Sequence, residues 1–202
     1  MAVAALNGLE LTISPDFEMG KTNKTPEYLA KFPLGKIPAL ETASGFMLYE
    51  SSAITHYLCE VGPRREQLLG ATPEERALVQ QWVFFTTEQL YRTVMELVRP
   101  LLGFVPHDAA VEQRSREDLA RWLAFLNEHL AGRTWFLPGG TALSLADISV
   151  AHGLRLGLKL CIDAEERGKY PNLMQWWDRV LAVPEVNTAF GGNEVLEKKP
   201  AA

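Results

Sequence analysis

Residues 9–13, LELTI, alternate apolar and polar side chains, the pattern of a strand buried on one face, and Pro15 closes the run. A helix is predicted over residues 26–32, where Thr25 supplies an N-cap, Pro26 the first helical position and Glu27 an acid that suits the helix dipole. Pro33 ends it, because proline has no N–H to continue the ladder. Two short apolar runs, IPAL and FMLY, flank the polar residues 41–45 and predict two strands joined by a tight turn. A second helix opens at Ser51 or Ser52 and runs to about residue 60.

Past residues 61–73, a linker rich in Gly, Pro and charge, the texture changes to long helical periods. Thr72-Pro73-Glu74-Glu75 starts a helix whose apolar stripe, Leu78, Trp82, Phe85, then Leu90, Val94 and Leu97, holds to about Leu102 before residues 105–108 break it. Leu119, Leu123 and Leu126 mark another stripe within residues 112–130. Ser144 and Asp147 have capping-box spacing, with Leu143 and Ile148 placed as a hydrophobic staple. Helices are predicted again from about Asn172 and after Pro184, and the polar tail EVLEKKPAA is expected to be loose. The expected organisation is a small α/β domain over residues 1–62, an all-α domain over 72–192 and a loose tail over 193–202.

Composition narrows the function classes. The 202 residues carry a net charge of −5 with no run of Lys or Arg, which argues against nucleic acid or an anionic membrane as partner. No segment reads as a signal peptide or a membrane span, so a cytoplasmic protein is expected. Cys59 and Cys161 lack Cys-x-x-Cys spacing and are expected as buried reduced thiols. His56, His107, His129 and His152 show no metal-ligand spacing, so no metal is expected. Gly139-Gly140 belongs to no phosphate-binding motif, and no Gly-x-Ser-x-Gly elbow is present.

A strand-helix-strand-strand-helix unit followed by a helical domain, with KFPLGKIPALET, LYESSAI and LSLADIS in order, resembles the cytosolic glutathione transferases. The closest likeness is to the branch holding the transferase-like domain of elongation factor one gamma and its fungal relatives, including transferase-like enzymes of secondary metabolism such as the pseurotin-pathway isomerase. The resemblance implies a thioredoxin-like first domain and glutathione as the bound cofactor. It implies that Ile37, ahead of a cis Pro38, offers backbone partners to the cysteinyl part, and that Glu50 and Ser51 face the γ-glutamyl ammonium and carboxylate. Lys36 is the cation assigned to the glycyl carboxylate. Tyr91, Arg92 and Met95 are assigned to a hydrophobic electrophilic substrate lying between the two domains, and a homodimer is implied.

In that family a first strand and a full helix precede the segment matched by residues 9–13, and the thiol-activating Tyr, Ser or Cys lies at their junction. Only eight residues precede Leu9 here, so the domain is expected to lack its first strand and the catalytic residue is unassigned. Thr12, Ser14 and Tyr49 are the hydroxyls nearest the site in chain order. Two functions remain open: an enzyme presenting the glutathione thiol to an unsaturated electrophile, by conjugation or cis/trans isomerisation, and a non-catalytic protein-interaction module.

Overall fold

The computed structural model describes residues 1–198 and divides the chain into two compact units, essentially Val3–Arg65 and the chain from Glu66 onward. In the first unit α1 (Ala2–Leu6) is followed by a 3-10 turn at Thr22–Lys24, α2 (Pro26–Lys31), strands β1 (Ala39–Glu41) and β2 (Met47–Tyr49), and α3 (Ser51–Val61). The strands pair antiparallel, Ala39 with Tyr49 and Glu41 with Met47, and α3 packs on both. Thr25 caps α2 by accepting from the Tyr28 N–H at 3.2 Å.

Asn7 ties the ends of this unit together. Its amide donates to Val3 O at 3.0 Å and Leu58 O at 3.3 Å, and its carbonyl accepts from the Arg64 N–H at 2.9 Å. The approach is so close that a Cβ on Gly62 would come within 2.2 Å of Asn7 Cγ.

The predicted strand over residues 9–13 does not form. That segment has no ladder partner among the described residues, and Ile13, its last apolar position, is 68% exposed. Alternation makes a strand only where a neighbouring strand takes its N–H and C=O groups. The described sheet has two strands, and both come from the predicted hairpin.

The second unit holds α4 (Arg65–Leu69), α5 (Pro73–Phe85), a π-helical turn (Thr86–Leu90), α6 (Tyr91–Leu101), α7 (Ala109–His129), α8 (Leu145–Leu160), α9 (Ala164–Arg167), α10 (Pro171–Leu181) and α11 (Pro184–Phe190). α6 packs against α7 and α8, and α10 against α7, α8 and α11. The helix expected to run unbroken from Thr72 to Leu102 is interrupted by the π-turn, facing α8 where a Cβ on Gly153 would come within 2.7 Å of Thr86 Cγ2. α4 is a short helix within the stretch read as linker, and α9 is a further short helix for which the sequence carried no prediction. The tail expected to be loose is tied down in part: Leu196 N–H donates to Leu158 O at 2.8 Å, and Glu197 O accepts from Ala164 N–H at 3.2 Å. Residues 199–202 of that tail lie outside the described residues.

The core of this unit is organised around Asp147, which is buried and forms the expected capping box with Ser144. Its carboxylate accepts four bonds: from Ser144 N–H and Oγ at 2.8 Å each, from Phe136 N–H at 3.0 Å and from Trp176 Nε1–H at 2.9 Å. Burial pushes its carboxyl above the ordinary range, while these four donors oppose that by favouring the charged form. Removing the acceptor strands buried N–H groups on Phe136 and Trp176, so Asp147→Ala should lower the unfolding free energy by about 3 kcal/mol. Urea denaturation followed by tryptophan fluorescence checks this, and a change under about 0.5 kcal/mol would contradict the assigned role.

Candidate functional site

The hairpin register positions the first group of residues. Ala39 lies opposite Tyr49, so Pro38 and Glu50 are the next residues along the two strands at the open end of the ladder, with Ile37 and Ser51 following them. The Ile37–Pro38 peptide is cis, and Ile37 is 51% exposed. The loop before it is pinned at two points: Tyr28 Oη donates to Lys36 O at 2.9 Å, and buried Asn23 donates to Gly35 O at 2.6 Å. Gly35 has φ +57° with the Asn23 carbonyl 2.9 Å from where a Cβ would sit, so a side chain has no room there. The Lys36 side chain is exposed, and no ion pair engages it among the described residues.

Glu50 joins β2 to α3 at φ 72° and ψ 119°, and among the described residues it is the non-glycine residue with positive φ. Such a conformation costs on the order of 1–3 kcal/mol and persists where surrounding structure fixes it. The turn places the Glu50 carbonyl to accept from Ile54 N–H at 2.9 Å, starting the helix. It leaves the Glu50 side chain exposed at the helix entrance without capping it.

The other long helices that start afresh satisfy their first turns. Thr72 caps α5, Asp108 caps α7, Ser144 and Asp147 box α8, and the Asn127 side chain accepts from Asn172 and Leu173 N–H at the start of α10. Among the described residues α3 has no side-chain acceptor at its first turn. Its free N–H groups, with the exposed Ser51 beside them, form an anion-binding end. The Glu50 carboxylate next to it adds an acceptor for a cation, so this corner has the chemistry to hold a small zwitterion.

Tyr91, Arg92 and Met95 lie together on one face of the second unit, lining a concavity that Thr87, Glu96 and Arg99 complete. The last three were missed from the sequence. The signal for Thr87 and Arg99 was their four-residue spacing with Tyr91 and Met95 along one helical stripe, and Glu96 lies four residues beyond Arg92. Tyr91 stacks on His152 with ring centroids 5.5 Å apart.

Neither cysteine offers a reactive thiol by its placement: both are buried and free of disulfide, and burial followed by the charge of Glu60 pushes the Cys59 thiol up to about 12. Of the three candidate hydroxyls, Thr12 and Ser14 sit exposed on the segment that forms no strand, and Tyr49 is an exposed β2 residue. Among the described residues no cluster of His, Cys, Asp or Glu is arranged to hold a metal, and no helix is long and apolar enough to cross a membrane.

Both units match family models: residues 2–61 the glutathione S-transferase N-terminal domain, and residues 82–184 the glutathione S-transferase C-terminal domain. A glutathione S-transferase-like protein, LUC7 of Fusarium sp, is 39% identical over 199 residues, covering 98% of this chain and 90% of the relative. Elongation factor 1-gamma of Danio rerio is 36% identical over 198 residues, covering 96% of this chain and 43% of the relative, so the chain spans under half of that protein. In fold, the GST-like domain of elongation factor 1-gamma from Saccharomyces cerevisiae superposes with a TM-score of 0.82 at 21% identity, over 100% of this chain and 90% of that one. A delta-class glutathione transferase of Nilaparvata lugens superposes with a TM-score of 0.80 at 25% identity, over 94% and 84% of the two chains. Matched across its α/β unit and its helical unit alike, the chain belongs to the glutathione S-transferase family.

Proposed function

We propose that this chain binds glutathione at the corner formed by Lys36, Ile37, Pro38, Glu50 and Ser51 and brings its sulfur to an electrophilic, unsaturated small molecule. The observation that carries this reading is the uncapped start of α3 beside the strained, exposed Glu50. Free N–H groups and the Ser51 hydroxyl suit the γ-glutamyl carboxylate, and Glu50 suits the ammonium on the same carbon. The exposed Ile37 backbone suits the cysteinyl amide, and Lys36 the glycyl carboxylate.

Bound glutathione would supply the nucleophilic sulfur. This chain's residues would position it, with the α3 dipole favouring negative charge nearby. Addition forms a carbon–sulfur bond at one alkene carbon and delivers a proton to the other, yielding a conjugate. Reversal after rotation about the former double bond returns the peptide and a geometric isomer. Tyr91, Arg92 and Met95 are the residues assigned to the electrophile, and the functional unit is proposed as a homodimer in the cytoplasm, serving fungal secondary metabolism.

A second reading, a protein-interaction module without catalysis, is supported by the likeness to elongation factor 1-gamma. Calorimetry separates the two at the first step. Glu50→Gln combined with Ser51→Ala should weaken glutathione binding at least about tenfold, the loss of one charge-assisted bond. Unchanged affinity would remove the site assignment. For turnover, conjugate and geometric isomer are followed with α,β-unsaturated ketones. Glutathione should support reaction and S-methylglutathione, which has no thiol to ionise, should not. Turnover with the methylated peptide would exclude sulfur as nucleophile, and absence of turnover with glutathione would favour the module.

A further inference from the structure

The hairpin has one edge that no strand covers. Thr42 N–H donates to Phe46 O at 2.9 Å, Gly45 N–H donates to Thr42 O at 2.9 Å, and Gly45 has φ +82°, the geometry of a hairpin closed by residues 43–45. Thr42–Phe46 is therefore a hydrogen-bonded pair. Bonded and non-bonded pairs alternate along an antiparallel ladder, so Leu40–Leu48 is bonded and the pairs at Ala39 and Glu41 are not. The N–H and C=O groups of Ala39 and Glu41 point away from β2, and among the described residues no bond takes them.

A second row of open backbone groups lies in the same unit. Across residues 9–13, the main-chain bond found among the described residues is Leu9 N–H to Ala4 O at 2.9 Å. The two rows fit each other when Leu11 lies beside Leu40. α3 packs on both strands, and Leu40 and Leu48 are half-buried while Met47 and Tyr49 are exposed, so the Leu40 side faces α3. Leu9, Leu11 and Ile13 then extend that apolar side, with Glu10 and Thr12 on the other.

Charge sets the direction. Antiparallel pairing puts Glu10 against Glu41, whereas parallel pairing puts Glu10 beside Ala39 and Thr12 beside Glu41. The parallel ladder uses Leu9 C=O, Leu11 N–H and C=O, and Ile13 N–H, all of them open. The same chain does not reach this arrangement. Asn7 is held at Leu58 O, seven residues or about 10 Å of helix rise beyond Ser51, while Leu9 would have to lie near the start of α3. The two residues from Asn7 to Leu9 span at most about 7 Å.

We propose that the open edge of β1 takes residues 9–13 of a second copy of this chain, in parallel, and that the two copies exchange these strands reciprocally. A two-stranded ladder is marginal in water, and the exchange gives each hairpin a third strand. The contact is independent of the glutathione reading.

The test follows hydrogen exchange at the Ala39 and Glu41 amides as protein concentration rises from micromolar to millimolar. Both should slow at least about tenfold. A dimer built on any other surface leaves them exchanging fast. Leu11→Pro removes an N–H of the proposed ladder and should abolish the slowing, while Thr12→Pro, whose N–H faces away from β1, should keep it. Thr12→Cys and Glu41→Cys, purified separately and mixed under mild oxidation, should form a disulfide between copies, since directly paired residues on neighbouring strands lie about 5 Å apart. Cys59 and Cys161 are buried and do not compete. Exchange rates at Ala39 and Glu41 that stay constant with concentration would overturn the proposal, whether the amides are open throughout or covered by their own chain. A disulfide between Glu10→Cys and Glu41→Cys in place of the expected pair would overturn it as well.

Discussion

A helix that begins without a cap leaves its first-turn N–H groups needing partners, and among the long helices described here that start afresh this demand falls on α3. The first unit is arranged around this one end. The hairpin register sets the distance from Pro38 to Glu50, the packing of α3 on both strands sets its direction, and Glu50 accepts an unfavourable φ of 72° to make the corner. Asn7 anchors the other end of the helix by accepting from Arg64 N–H and donating to Leu58 O. A ligand carrying both a carboxylate and an ammonium satisfies what the fold itself leaves open.

The second unit solves the same problem in the opposite way. Its long helices that start afresh are closed by side chains, and at α8 the closing group is an aspartate buried deeply enough to organise Phe136 and Trp176 as well. The contrast separates a helix end closed by its own side chains from one left open, the end proposed here for binding. Along one face of α6 Glu96 has three donors, while Arg99, which lines the same concavity, makes no ion pair among the described residues.

Features coded by neighbouring residues were legible in the sequence. The helices at Pro26, Ser51 and Pro73, the hairpin, and the Ser144–Asp147 box each announce themselves within a few positions. What was misread depends on partners distant in the chain. LELTI has the alternation of a strand, but strand formation requires a neighbouring strand to pair with. The cap on α10 comes from Asn127, 45 residues earlier, and the docking of Leu196 depends on Leu158. The π-turn left a local trace in the five-residue gap between Phe85 and Leu90, which an α-helical stripe does not contain. The residues proposed to bind glutathione were assigned by resemblance, and the strained φ of Glu50 and the open end of α3 became visible once the backbone was traced.

The central claim is that the open N–H groups of α3 are a ligand site, and amide chemical shifts in a nitrogen-15-labelled sample report on those groups directly. Titration with glutathione should move the Ser51, Ser52, Ala53 and Ile37 amides along one saturable curve, while amides of the Asp147 capping box stay in place. A titration that leaves the α3 amides unmoved in a folded sample, up to millimolar glutathione, would contradict the account.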